Sequence, residues 1–202
     1  FKRTDTYLRE LGKIVDRIII ENHIDTSRVL GVGIGLPGLT NSSHDQIVYG
    51  RILDIENSTS EEYSRYINFP VRIVNDAKAA CDIELHSLDD AAANGFYIML
   101  SNNVGGAVFI NGSVYMGDDY RSGEVGHLNI HPGGLPCYCG QRGCVDPYCS
   151  ATVLTAISNG NLEEFFRLLG QNNEAALSVW SVYLEHLALA IRNVRVLLDC
   201  PS

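Results

Sequence analysis

Between residues 117 and 149 the chain runs for more than thirty residues with no helical or strand periodicity, and is rich in Gly, Pro, Cys and His. A structureless stretch of that length inside a folded domain needs something to pin it. The segment supplies a candidate. Cys137, Cys139 and Cys144 lie within eight positions of one another, in the pattern C-x-C-G-x-x-G-C, with His127 and His131 upstream. Zn²⁺ takes four soft or borderline ligands in a tetrahedron, and three thiolates with one imidazole satisfy it. Gly133, Gly134, Gly140 and Gly143 provide tight turns that aim the sulfurs inward. A closed Cys3His set leaves no open position, so the expected ion is structural. On spacing alone the fourth ligand is either His127 or His131, and Cys144 with Cys149 is a weaker alternative pair. Cys81 and Cys200 fall in helical patterns and read as small core residues.

The six cysteines also bear on compartment. A secreted disulfide protein spreads them as loop staples, whereas clustering beside a histidine points to a metal in a reducing, cytoplasmic setting. Net charge is −9, from 15 basic and 24 acidic residues. That surface repels phosphate backbones, so any DNA contact must come from a segment outside these residues. No run approaches 18 apolar residues, which argues against a helical membrane span. The first twenty residues carry charges throughout and read as an amphipathic helix, not a leader. The chain starts without Met, and its natural N-terminus is expected upstream.

Along the chain, Tyr7, Leu8, Leu11, Ile14, Val15, Ile18 and Ile19 predict a helix over 4–23. VLGVGIG at 29–35 predicts a buried strand running into Leu36-Pro37-Gly38. Residues 39–56 are irregular, with a short strand at 47–49, and 59–67 form a short helix with Tyr63 and Tyr66 on one side. VRIVN after Pro70 is a second strand, ending at Asn75-Asp76 and followed directly by helix. That succession presents side chains at the carboxyl end of a strand, as α/β folds do. By itself the pair Asn75-Asp76 reads as a helix N-cap, and Gly105-Gly106 as a closely packed strand. Strands at 96–101 and 104–110 continue through the hairpin signal Asn111-Gly112 into 113–117. From Ser150 to Leu198 the pattern is helical, in three segments divided near Gly160 and Gly170. The expected domains are a partial N-terminal α/β lobe over 1–94 and a C-terminal lobe over 95–202, with the metal loop and a helical tail.

GEVGHLNIHPGGLPCYCGQRGCVDPYCS at 123–150 resembles the signature of the ROK family (repressors, open reading frames and kinases): E-x-G-H, a Pro-Gly stretch, then C-x-C-G-x-x-G-C-x-E. GVGIGLPGLTN at 31–41, VNDAKAA at 74–80 and VGGAVFINGSVYMG at 104–117 agree with it. The resemblance implies an actin-like (ribonuclease H-like), two-lobed sugar kinase fold closing over a hexose or amino sugar. It implies that His127, with Cys137, Cys139 and Cys144, holds the metal. It implies that Asp76 is the general base in a kinase, and that Gly38, Asn75, Asp76, Gly106, Glu124, His127 and Asp146 bind sugar. Each role has sense in it: carboxylates bind hydroxyl pairs through short charge-assisted hydrogen bonds, and a ligating imidazole keeps its second nitrogen for an outward bond.

The chain departs from the kinase pattern. The Asp-x-Gly-Gly-Thr phosphate loop does not occur before residue 31, so the first phosphate-loop strands are lacking. The second loop, Gly-Thr-Gly-x-Gly-Gly, reads SNNVGG at 101–106, with side chains where phosphate meets bare backbone. The chain stops before the Gly-rich stretch that holds adenosine, and Asp146 stands one methylene short of Glu. The internal change at Asn102 and Asn103 is not explained by truncation. The expectation is therefore the sugar-binding effector domain of a ROK-type transcriptional regulator, taking a sugar or sugar phosphate, with structural Zn²⁺ and a second copy of itself as partner. The alternative is an ATP- and Mg²⁺-dependent hexose or amino-sugar kinase. Trp180, Tyr183 and Leu184 offer a face for self-association, although such a stripe is more often core.

Overall fold

The computed structural model describes residues 4–87 and 94–199, so Cys200 and Ala93 lie outside the described residues. Among the described residues, seven α-helices and seven strands follow one another in an α/β order. By packing they form two compact units, residues 1–79 with 118–120, and residues 80–117 with 121–202.

The first unit opens with α1 (Asp5–Glu21), where Thr4 Oγ1 accepts the Tyr7 N–H and Asp5 places a negative charge at the first turn. The predicted apolar stripe divides. Tyr7, Leu8, Leu11 and Val15 join the core, whereas Ile14 and Ile18 are exposed. Gly12 is needed there, because a Cβ would sit 2.3 Å from the Tyr66 carbonyl oxygen. β1 (Val32–Leu36) pairs in parallel with β4 (Val71–Asn75), in the register Val32 to Val71 through Leu36 to Asn75. The strand begins at Val32 and not at Val29. Pairing starts where Val32 N–H donates to the Pro70 carbonyl, and Leu30 just before it is left exposed. β2 (Leu39–Thr40) and β3 (Ile47–Tyr49) make a small antiparallel pair, and α2 (Ser60–Ser64) follows. Tyr63 is fully buried among Leu8, Ile47, Ile55 and Ile73, while Tyr66 turns aside to donate its hydroxyl to Asp5 Oδ1 at 2.6 Å. α3 (Asp76–Ser87) leaves the end of β4 without an intervening loop.

In the second unit, β5 (Gly95–Leu100), β6 (Val104–Ile110) and β7 (Ser113–Tyr115) form an antiparallel sheet, with Asn111 and Gly112 at positive φ in the β6–β7 turn. Cys81 packs with Ala107 and Phe109 as a small apolar residue. α4 (Asp146–Cys149) begins earlier than periodicity suggests, since Pro147 fits a first helical turn. α5 (Ala151–Thr155), α6 (Leu162–Gly170) and α7 (Glu174–Leu198) complete the tail. Asn161 and Asn173 cap α6 and α7 by accepting the N–H of Glu164 and Ala176. Trp180 stacks on buried Tyr183 at 5.6 Å and meets Phe165 and Phe166, so this stripe belongs to the core, with Leu184 half-exposed beside it. Among the described residues no helix is long and apolar enough to cross a membrane.

Phe165 is fully buried and touches both Phe166 and Trp180. Phe165→Ala is expected to lower unfolding free energy by roughly 3–5 kcal/mol, the usual cost of emptying a packed aromatic site. Urea denaturation of the two proteins measures it, and a loss below about 1 kcal/mol would contradict this account of the helical core.

Candidate functional site

The segment over 123–149 is folded by its own backbone. A single-turn helix at Val125–His127 leads in. Pro136 bridges Arg142, Cys137 N–H donates to the Gln141 carbonyl, and Gly140 N–H returns to the Cys137 carbonyl. Gly143 is irreplaceable here: its φ is +82°, and a Cβ would fall 1.8 Å from the His131 carbonyl oxygen. These turns gather one donor atom each from His127, Cys137, Cys139 and Cys144, all within 4.8 Å of one another. His127 Nδ1 lies 3.6 Å from Cys137 Sγ, and Cys139 Sγ 3.7 Å from Cys144 Sγ. A tetrahedron with metal–sulfur bonds of about 2.3 Å has sulfur–sulfur edges of about 3.8 Å, and sulfur–nitrogen edges slightly shorter. The donor set therefore fits a Zn²⁺ ion in both chemistry and size.

His131 is not in this group. Its ring stacks on Tyr148 at 5.9 Å, Tyr148 stacks in turn on His186 at 4.5 Å, and its backbone N–H bonds the Gly143 carbonyl. Cys149 is fully buried in the core, and that burial pushes its thiol up to about 12. Burial likewise raises Cys137, to about 12, and Cys144, whereas the Gln141 N–H and the neighbouring thiols outweigh burial at Cys139 and lower it. A bound cation would replace the thiol protons that burial retains.

The first unit holds three of the predicted residues in one hydrogen-bonded corner. Asn75 Oδ1 accepts the Lys78 N–H at 2.9 Å, capping α3, while its Nδ2 donates to the Gly38 carbonyl at 3.0 Å. The capping role and the link to the Leu36-Pro37-Gly38 turn are thus carried by one side chain, which keeps one amide hydrogen and one lone pair. A Cβ at Gly38 would press to 2.8 Å from the Tyr49 carbonyl oxygen. Asp76 opens α3, and its Oδ1 accepts the Ala77 N–H. Burial raises its pKa, with that N–H working the other way. Lys78, not singled out from sequence, is buried and donates to the Tyr120 carbonyl at 2.9 Å, tying 118–120 to α3.

Gly106, Glu124, His127 and Asp146 belong to the second unit. Gly106 has a packing reason: a Cβ there would lie 2.8 Å from the Gly123 carbonyl oxygen, on the turn that carries Glu124. Glu124 and His127 line an apolar cavity of about 350 Å³ with Phe96, Val108 and Leu197. Asp146 lines a different cavity, of about 550 Å³, with Asn102, Asn103, Tyr138, Ser150 and Thr152. Its carboxylate is almost fully buried, and Oδ1 accepts the Val104 N–H at 2.7 Å. Burial raises its pKa, with the Val104 N–H, His127 and the Asn103 side chain working the other way. Tyr138 is a further residue that sequence reasoning missed. Tyr138 had one visible signal, its place between two clustered cysteines.

Comparison with known proteins gives the family and the fold. The sequence model of the ROK family matches residues 2–202. A glucokinase of Halalkalibacterium halodurans is 31% identical over 161 residues, 76% of this chain and 48% of that protein. An N-acetylmannosamine kinase of Vibrio cholerae is 36% identical over 97 residues, 48% of this chain and 34% of that one. The chain thus spans about half the length, or less, of these curated relatives. Among solved structures, a ROK family glucokinase from Streptomyces griseus in complex with glucose and AMPPNP superposes with a TM-score of 0.75 at 21% identity, over 93% of this chain and 69% of that one. A ROK family transcriptional regulator, a homologue of the E. coli MLC protein, gives 0.73 at 24% identity, over 97% and 54%. The chain is a member of the ROK family, with the actin-like fold of its sugar kinases.

Proposed function

We propose that the chain is the sugar-binding effector portion of a ROK-type transcriptional regulator, with a structural Zn²⁺ held by His127, Cys137, Cys139 and Cys144. Asn75 and Asp76, with Gly38 beside them, and Glu124, His127 and Asp146, with Gly106 beside them, are its proposed sugar contacts. The division into lobes at 1–94 and 95–202, self-association, and DNA contact through a segment outside these residues belong to the same reading.

One observation carries the choice of regulator: the state of the 101–104 loop. A loop that cradles phosphate presents bare backbone N–H groups to the anion. Here Val104 N–H is already bonded to the buried carboxylate of Asp146. Ser101 N–H and Oγ both turn inward to the Asn103 carbonyl. Among the described residues, no Lys, Arg or His lines the cavity beside the loop. A phosphate there would meet a carboxylate with no cation beside it.

A second reading, an ATP-dependent sugar kinase, is favoured by Asp76, whose carboxyl is raised by burial toward the range a general base uses. The curated relatives cited above are also kinases. Coupled ATP turnover with a panel of hexoses and amino sugars, beside calorimetry with the same sugars, separates the two. Sugar binding without turnover is the expected result. Robust turnover abolished by Asp76→Asn would establish the kinase and end the regulator reading.

Two physical predictions accompany this proposal. Cys144→Ser should lower bound zinc from one equivalent toward none. A loss of roughly 3 kcal/mol would then lower Tm by about 6–12 °C for a chain of this size. Metal analysis with calorimetry checks it, and an unchanged Tm would contradict a structural ion. Asp76 makes the pH prediction. Its folded-state pKa is raised, so the native state binds the proton more tightly than the unfolded one, and this stabilising contribution is lost as pH rises from about 4 through the raised value. Asp76→Asn should therefore have a higher Tm than the parent at pH 7. The gap should close below about pH 4, where both side chains are neutral. A lower Tm for the variant at pH 7 would contradict the burial cost.

A further inference from the structure

The three cysteines of the donor cluster differ in their access to solvent. Cys137 and Cys144 are buried, whereas Cys139 is half-exposed. Its place in the turn explains the difference. Pro136 bridges Arg142, and Cys137 N–H donates to the Gln141 carbonyl, so Cys139 sits at the tip of a tight hairpin with Gly140, Gln141 and Arg142 exposed beside it. Cys81 and Cys149 are buried, at 1% and 0% exposure. Among the described cysteines, Cys139 is therefore the one that a small reactive molecule in solvent meets first, and access of this kind directs thiol oxidation.

Cys139 also has a sulfur within reach. Its Sγ lies 3.7 Å from Cys144 Sγ, against about 2.05 Å for a disulfide bond. The segment between them, Gly140 to Gly143, begins and ends with glycine, at φ of +93° and +82°. Glycine at both ends gives this loop the backbone freedom to close the gap. Pairing Cys139 with Cys144 would leave His127 and Cys137, two donors where Zn²⁺ takes four. A bound metal and a Cys139–Cys144 disulfide are thus mutually exclusive uses of the same sulfurs.

We infer that the cluster is a redox switch: a hydroperoxide oxidises Cys139, Cys144 closes a disulfide onto it, and the metal is given up. Cys139 sulfur attacks one peroxide oxygen and the O–O bond breaks. The departing oxygen takes a proton and leaves as water or an alcohol, and Cys139 becomes a sulfenic acid. Cys144 sulfur then attacks Cys139 sulfur, the S–S bond forms, and the S–O bond breaks with its oxygen leaving as water. The two sulfurs together give two electrons to the peroxide, and two protons come from solvent. A dithiol reductant returns the electrons by exchange and restores the donor set. Where a compartment keeps thiols reduced, disulfides of this kind are transient and serve sensing. Oxidation also reaches a proposed sugar contact. His127 loses its partner on the Nδ1 side, while Tyr138 Oη remains 3.2 Å from Nε2. The inference rests on the structural zinc of the reading above and adds a regulation to it.

The test uses the full chain, reduced and loaded with zinc. Hydrogen peroxide is titrated in while a zinc-responsive dye records release, and unreduced peptides are mapped by mass spectrometry. Bound zinc is expected to fall from one equivalent toward none, in step with formation of a Cys139–Cys144 disulfide, while Cys81 and Cys149 stay reduced. Tm should fall to that of chelator-stripped protein, and dithiothreitol with added Zn²⁺ should restore it. Cys139→His keeps four donors as Cys2His2 but lacks the exposed sulfur. It should hold zinc at a peroxide concentration that empties the parent, and if the variant does not fold, the parent's peptide map decides alone. Zinc retained by the parent, release with Cys139 carried to sulfinic acid and no disulfide, or a disulfide through another pair overturns the switch and leaves the zinc site standing. Release from Cys139→His as fast as from the parent overturns it as well. If the reduced parent takes up no zinc, the metal site and the switch fall together.

Discussion

Four donor atoms within 4.8 Å of one another organise the least regular third of the second unit. Three buried or half-buried thiols and an imidazole do not attract one another, and burial, with the neighbouring thiols, raises the pKa of Cys137 and Cys144. Their convergence makes physical sense around a cation, whose binding free energy becomes folding free energy for the chain that supplies the ligands. Gly143 carries the same message in covalent form, because the turn bringing Cys144 back to His127 leaves no room for a Cβ beside the His131 carbonyl. The ion's position in turn sets the tilt of His127, and through Nε2 the placement of Tyr138.

A second constraint is the meeting of Asp146 with the 101–104 loop. The carboxylate comes from the start of α4, directly after the last cysteine of the cluster, and reaches the N–H at the start of β6. One buried charge therefore joins the metal segment to the sheet, and closes a backbone donor that an anion would otherwise use. The arrangement has an electrostatic cost, visible in the raised pKa of Asp146, which Val104 and Asn103 only partly offset. Asp76 carries a similar cost at the other end of the sequence motifs. Charges held against their solvation preference are common where a protein prepares a site for a polar ligand.

What sequence made legible here was local or periodic. The stripe of α1, the strand–helix junction at Asn75-Asp76, the hairpin at Asn111-Gly112 and the breaks near Gly160 and Gly170 each rest on neighbours along the chain. The cluster was legible because cysteine, histidine and glycine in that spacing have few other physical explanations. Close approaches between distant segments were not legible. Gly106 is bare because the Gly123 carbonyl lies against it, and Gly12 because the Tyr66 backbone does. Asn75 caps a helix and holds the Gly38 carbonyl with the same amide, so the two readings of that residue coexist. Trp180 and Tyr183 turned inward because Phe165 and Phe166 sit opposite them, a pairing across helices that no single-helix pattern contains.

The most direct test of the account is X-ray absorption at the zinc K-edge on protein purified without added metal. One zinc per chain, with three sulfur scatterers at about 2.3 Å and one nitrogen at about 2.0 Å, is the result the geometry requires. Absence of a bound metal, or a shell dominated by oxygen, would contradict it, and the assigned orientation of His127 and Tyr138 would go with it.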